Sequence, residues 1–60
     1  MRYLGIDHGQ KRTGLAISDA SEMLVSPHAV IETRSETELL RRITDVISSE
    51  KIEAVVIGLP

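Results

Sequence analysis

A chain of 60 residues with no cysteine, 42% hydrophobic residues and a net charge of −2 is about half the usual domain of ~100–150 residues, and it has no disulfide to staple a small core. It is not basic enough for charge alone to argue for nucleic acid. No run nears the roughly 18 apolar residues of a membrane span, and the apolar stretch after Met1-Arg2 is broken at Asp7, unlike a signal peptide, so a soluble cytoplasmic protein and the N-terminal portion of a larger single domain are expected.

The first predicted element is a strand over residues 2–8. Its alternation puts Tyr3, Gly5 and Asp7 on one face and Leu4, Ile6 and His8 on the other. Gly9 to Arg12 form a turn, because a second apolar segment follows within a few residues. Residues 13–18 are the second strand, with Thr13, Leu15 and Ile17 on one face and Gly14, Ala16 and Ser18 on the other. Asp19 to Leu24 read as a polar connection. Pro27 forces Ser26 to be extended, and a third strand is expected within His28 to Thr33, around Ala29-Val30-Ile31.

Ser35-Glu36-Thr37-Glu38 fits a capping box, with Ser35 as N-cap and Glu38 at N3. Leu39, Leu40, Ile43, Val46 and Ile47 then form one apolar stripe, so a helix runs from here to near Glu50. Glu38 and Arg42 are spaced for an i,i+4 pair. Ile52 to Ile57 is the fourth strand, apolar on both faces as in an interior parallel strand. A strand, a crossover helix and a second parallel strand imply a right-handed connection. The predicted order is β-β-β-α-β: an antiparallel meander, then a helix, then a strand parallel to the first. One helix covers only one sheet face, so the isolated chain should be molten, oligomeric or aggregation-prone.

The chemistry centres on Asp7. A carboxylate beside a sheet core is costly unless a cation or donors compensate it. It is therefore either a metal ligand or an acid that caps the turn through its own backbone. Gly9 either takes a positive φ or admits a phosphate to the backbone. Lys11 and Arg12 are adjacent cations that either grip a nucleic-acid backbone or stay solvated. Gly14 reads as a packing glycine. Asp19, after Ser18, is a turn-starting acid or a group behind a metal ligand. His8, aimed at the face opposite Asp7, and His28 are read as structural. Arg41, Arg42 and the helix acids are read as a solvated face.

The stretch Leu4-Gly5-Ile6-Asp7-His8-Gly9-Gln10-Lys11-Arg12-Thr13-Gly14-Leu15-Ala16-Ile17-Ser18-Asp19 resembles the opening motif of the YqgF family. The closing Ile57-Gly58-Leu59-Pro60 is similar to the start of that family's loop after the fourth strand. Thr13 stands where the family often carries Ile. The family comprises bacterial proteins with a ribonuclease H-like fold, described both as Holliday junction resolvases and as nucleases that mature the precursor of 16S ribosomal RNA. The resemblance implies an α/β, ribonuclease H-like mixed sheet, of which residues 1–60 are the N-terminal part. It implies a divalent-metal-dependent endonuclease in which Asp7 is a catalytic Mg²⁺ or Mn²⁺ ligand. Gly9, Lys11 and Arg12 would contact structured RNA or branched DNA, and the remaining acidic ligands would lie beyond position 60. Ribosomal particles and a second copy of the chain are the implied partners. Two other readings stay open. One is an ATP-binding fold of the actin and sugar-kinase group, although Gln10-Lys11-Arg12 replaces the Thr or Ser that such folds place after the glycine. The other is a non-catalytic nucleic-acid-binding module on the same fold.

Overall fold

The computed structural model describes residues 1–19, 21 and 25–58. Its elements are β1 (Tyr3–His8), β2 (Thr13–Ser18), β3 (Val25–Ile31), α1 (Glu36–Ser49) and β4 (Ala54–Gly58). They form one four-stranded sheet in the order β3-β2-β1-β4. β1 and β2 are antiparallel, as are β2 and β3, whereas β4 runs parallel to β1. This is the predicted β-β-β-α-β order in a mixed α/β sheet. Of the polar connection expected over residues 19–24, only Asp19 and Ser21 lie among the described residues.

Pairing of Leu4 with Ile17, Ile6 with Leu15 and His8 with Thr13 keeps the predicted faces in register. Leu4, Leu15, Ile17 and Ile31 form the core, and the helix stripe Leu39, Ile43, Val46 and Ile47 packs over it. Leu4 is fully buried. No helix residue is, because α1 lies over one side of a thin molecule.

The third strand begins at Val25, earlier than the expected His28, and ends at Ile31. Pro27 is tolerated inside it because β3 is, among the described residues, an edge strand, and it carries a bulge. Leu15 faces Ala29 and Ala16 faces Pro27, which leaves His28 as the extra residue. The fourth strand starts at Ala54 rather than Ile52. It is an edge strand among the described residues, not an interior one, with Val56 56% and Ile57 63% exposed. Its doubly apolar pattern matches an environment that residues 1–58 do not supply.

Half of the capping box forms. Ser35 Oγ accepts from the Glu38 N–H at 3.1 Å, but the Ser35 N–H donates to Thr33 Oγ1 at 3.1 Å. The Glu38 carboxylate turns instead to Arg41, whose Nη2 and Nε donate at 2.6 and 3.2 Å. The expected Glu38–Arg42 pair is replaced by this fork, and Arg41 also reaches Asp45 at 3.4 Å. The planar guanidinium accounts for the change, since at i+3 it can meet both carboxylate oxygens. That hydrogen bond holds the Glu38 carboxyl below its ordinary 4.5 despite some desolvation, and the charges of Arg41 and Arg42 act in the same direction.

The helix stops at a Schellman motif. Lys51 sits at φ 53°, its N–H donates to the Ser48 carbonyl at 3.4 Å, and the Ile52 N–H donates to the Ile47 carbonyl at 3.0 Å. Ile52 is thereby folded against the core beside Ile47. The chain then enters β4 already aligned with β1. No helix among the described residues is long and apolar enough to cross a membrane.

Candidate functional site

Asp7 lies one residue before the carboxyl end of β1, which has β2 on one side and β4 on the other. Its register partners are Gly14 in β2 and Gly58 in β4. Glycine on both sides leaves the carboxylate with no flanking side chain on its own face. A Cβ added at Gly14 would lie 3.9 Å from the Asp7 Cβ, an ordinary contact. The acid opens onto the face that α1 does not cover, in a broad apolar groove shared with Gly5, Ala16, Val30 and Val56. It is exposed and has no hydrogen-bond or ion-pair partner among the described residues. The turn-capping alternative is therefore not realised: the turn is closed by the Gly9 N–H donating to the Arg12 carbonyl at 2.8 Å.

This geometry fits one oxygen ligand of a hard cation at the carboxyl end of parallel strands, where open α/β sheets place their ligands. It does not complete a site. No group of three His, Cys, Asp or Glu residues converges among the described residues.

Gly9 has no positive φ, contrary to one expectation. Its amide is used inside the turn, which also removes it as a phosphate donor. The reason for glycine is close approach, because a Cβ there would stand 2.9 Å from the Arg12 carbonyl oxygen. Lys11 and Arg12 are both exposed on the turn beside Asp7. Arg12 is not free in solvent: its Nε lies 3.1 Å from Glu32 Oε1. With both side chains well exposed, such a pair contributes about 0–1 kcal/mol, so a phosphate can compete for the guanidinium. Glu32 was not foreseen as a partner. Only the register that pairs Thr13 with Ile31 brings residues 12 and 32 together.

His8 points away from Asp7, as alternation requires, and its Nδ1 lies 2.9 Å from Thr13 Oγ1. Asp19 follows the far end of β2, five residues beyond Gly14, or about 17 Å along an antiparallel strand. It is too distant to support Asp7, and it accepts from Ser21 Oγ at 2.9 Å as a turn acid does. Ser18 Oγ accepts from the Tyr3 N–H at 2.8 Å. His28 Nδ1 stands 3.8 Å from Glu50 Oε1, at the bulge and away from Asp7.

A family model described as RuvX: Holliday junction resolvase matches residues 1–60, and RuvX is the YqgF family of the sequence resemblance. The chain is similar to several relatives named "Putative pre-16S rRNA nuclease", of which three are described. The one from Maridesulfovibrio salexigens is 40% identical over all of this chain and 44% of its own length. The one from Oleidesulfovibrio alaskensis is 37% identical over all of this chain and 42% of its own length. The one from Desulforudis audaxviator is 42% identical over all of this chain and 43% of its own length. The chain thus spans less than half the length of these relatives.

Proposed function

This chain belongs to the RuvX family of Holliday junction resolvases, and we propose on that footing that it is the N-terminal portion of a cytoplasmic, divalent-metal-dependent nuclease. The observation that carries the reading is the Asp7 carboxylate, unpartnered and exposed at the carboxyl end of β1 with glycine on both flanking strands. A side chain left without an internal partner at a backbone-open position is available to a ligand.

Mg²⁺ or Mn²⁺, when bound, supplies Lewis-acid stabilisation of a phosphodiester and a water of lowered pKa. Asp7 is the ligand these residues contribute. One carboxylate holds such an ion weakly, so the remaining ligands come from outside residues 1–60. Lys11 and Arg12 hold the polynucleotide backbone as it passes the turn, and Gly9 keeps that turn tight. With one Tyr and no Trp or Phe in the chain, recognition here falls on phosphates rather than on stacked bases. The substrate class is structured RNA, such as the 5′ region of a 16S rRNA precursor on a ribosomal particle, or branched DNA. A symmetric junction would engage two copies of the protein.

The test compares the full-length protein with Asp7→Asn for Mn²⁺-dependent cleavage of both substrate types. Asn preserves the shape and removes the charge. Cleavage should fall by about two orders of magnitude or more, since even groups that only orient metal ligands are worth ~10–100-fold. Equal cleavage by the two proteins would end the proposal.

A further inference from the structure

The sheet has a second groove on the side opposite Asp7. Strand alternation sends His8, the neighbour of Asp7, into it. One wall is the β1–β2 turn with Gln10 and Lys11, and the other is the connection into α1 with Arg34 and Glu36. The groove encloses about 880 Å³ and is open to solvent.

Its charges are not internally matched. Arg2, Arg12 and Arg41 each have an acidic partner. Lys11 and Arg34 have none among the described residues, yet they face one groove from two separate loops. Glu32, on the same lining, is already taken by Arg12. Glu36 is the acid left over, so once Glu32 is counted with its partner Arg12, which lies outside the lining, the groove has two cations to one acid in a chain whose total is −2. Apart from His8 no ring lines it, so it offers a base little to stack on. Cations on opposed walls of an open, ring-poor trough suit a chain of phosphates.

We infer that this helix-side groove is a second nucleic-acid site, in which Lys11 and Arg34 bind backbone phosphates flanking the segment presented to Asp7 across the turn. The inference rests on the nuclease reading above and extends it. The polynucleotide touches both faces of the sheet, with the turn Gly9 to Arg12 standing between.

The experiment measures the Kd of the full-length protein for a fluorescent four-way DNA junction and for an RNA stem, across a salt series without divalent metal. Each phosphate contact contributes about 0.7–0.9 to the slope of log Kd against log salt, equivalent to about five- to eight-fold in Kd at 0.1 M salt. Lys11→Ala and Arg34→Ala should each show that loss of affinity and of slope, and the double variant about twice the slope change. Arg34→Lys should keep the slope. Because Lys11 also serves the turn in the nuclease reading, Arg34→Ala decides the matter: unchanged Kd and slope in that variant would overturn the inference, as would weaker binding with an unchanged slope. Both side chains are exposed, and matching circular dichroism of each variant excludes a folding defect. Asp7→Asn, measured in parallel, separates the two readings. A silent groove with an essential Asp7 removes this inference alone, and a working groove with a dispensable Asp7 removes the catalytic reading alone.

Discussion

Replacing Gly9 with Ala tests the turn that joins the two faces of the site. The Gly9 N–H donates to the Arg12 carbonyl at 2.8 Å, and an added Cβ would stand 2.9 Å from that same oxygen. Carbon and oxygen normally approach no closer than ~3.3 Å. The obstacle is backbone and cannot rotate aside. The turn must open, losing a hydrogen bond of about 0.5–1.5 kcal/mol, or carry overpacking strain of about 1–3 kcal/mol. Gly9 has no positive φ, so Ala suffers no further backbone penalty and regains about 0.4–1 kcal/mol through a less flexible unfolded chain. Because Gly14→Ala makes the same gain, the expectation is that Gly9→Ala is about 0.5–3 kcal/mol less stable than Gly14→Ala, read from urea unfolding of the full-length protein. Gly14→Ala is the control: its Cβ meets nothing nearer than the Asp7 Cβ at 3.9 Å, and its stability should match or slightly exceed that of the parent. If Gly9→Ala proves as stable as Gly14→Ala, close approach is not why residue 9 is glycine.

Leu4→Ala, at a position with no exposed surface, should cost about 2–5 kcal/mol and lower the urea midpoint without changing the m-value; a loss under ~1 kcal/mol would contradict a close-packed core. Lys51→Gly should stabilise the protein by up to about 1 kcal/mol in the same assay, because a left-handed φ of 53° strains lysine and not glycine; a loss of stability would refute the strained-cap reading. Glu38, whose folded carboxyl is held below 4.5, contributes stability that is present above that value and lost as pH falls through the folded one. Helical ellipticity should therefore step down on acidification below pH ~4.5, with a smaller step in Glu38→Gln; identical profiles would remove Glu38 as a cause. The isolated 60 residues, with Val30, Val56 and Ile57 each more than half exposed, should bind a hydrophobic dye and associate; a cooperative monomeric transition would show that the bare face needs no cover.

Local patterns were legible because they rest on neighbours in the chain. The bounds of β2 and α1, the alternation that separates Asp7 from His8, and the Ser35 cap all come from periods of two and 3.6 residues and from hydrogen bonds spanning three. The misread features share a different origin. β3 began early because a proline in a strand is tolerated only at an edge or a bulge, and edge position is a property of the assembled sheet. The Glu38–Arg42 expectation failed because spacing offers two partners, and guanidinium geometry selects between them.

The amino-acid order alone determined that this chain makes three strands, a helix and a parallel strand, with one acid at the end of the first strand and two cations in the turn after it. Only the tertiary structure decided what each of those charges meets. Cross-strand register gave Asp7 two glycines as neighbours, tied Arg12 to Glu32 and set Lys11 across a groove from Arg34. Pairing between strands is set by packing among residues far apart in sequence, and a different register would give Asp7 other neighbours and bring the turn and loop charges to other partners.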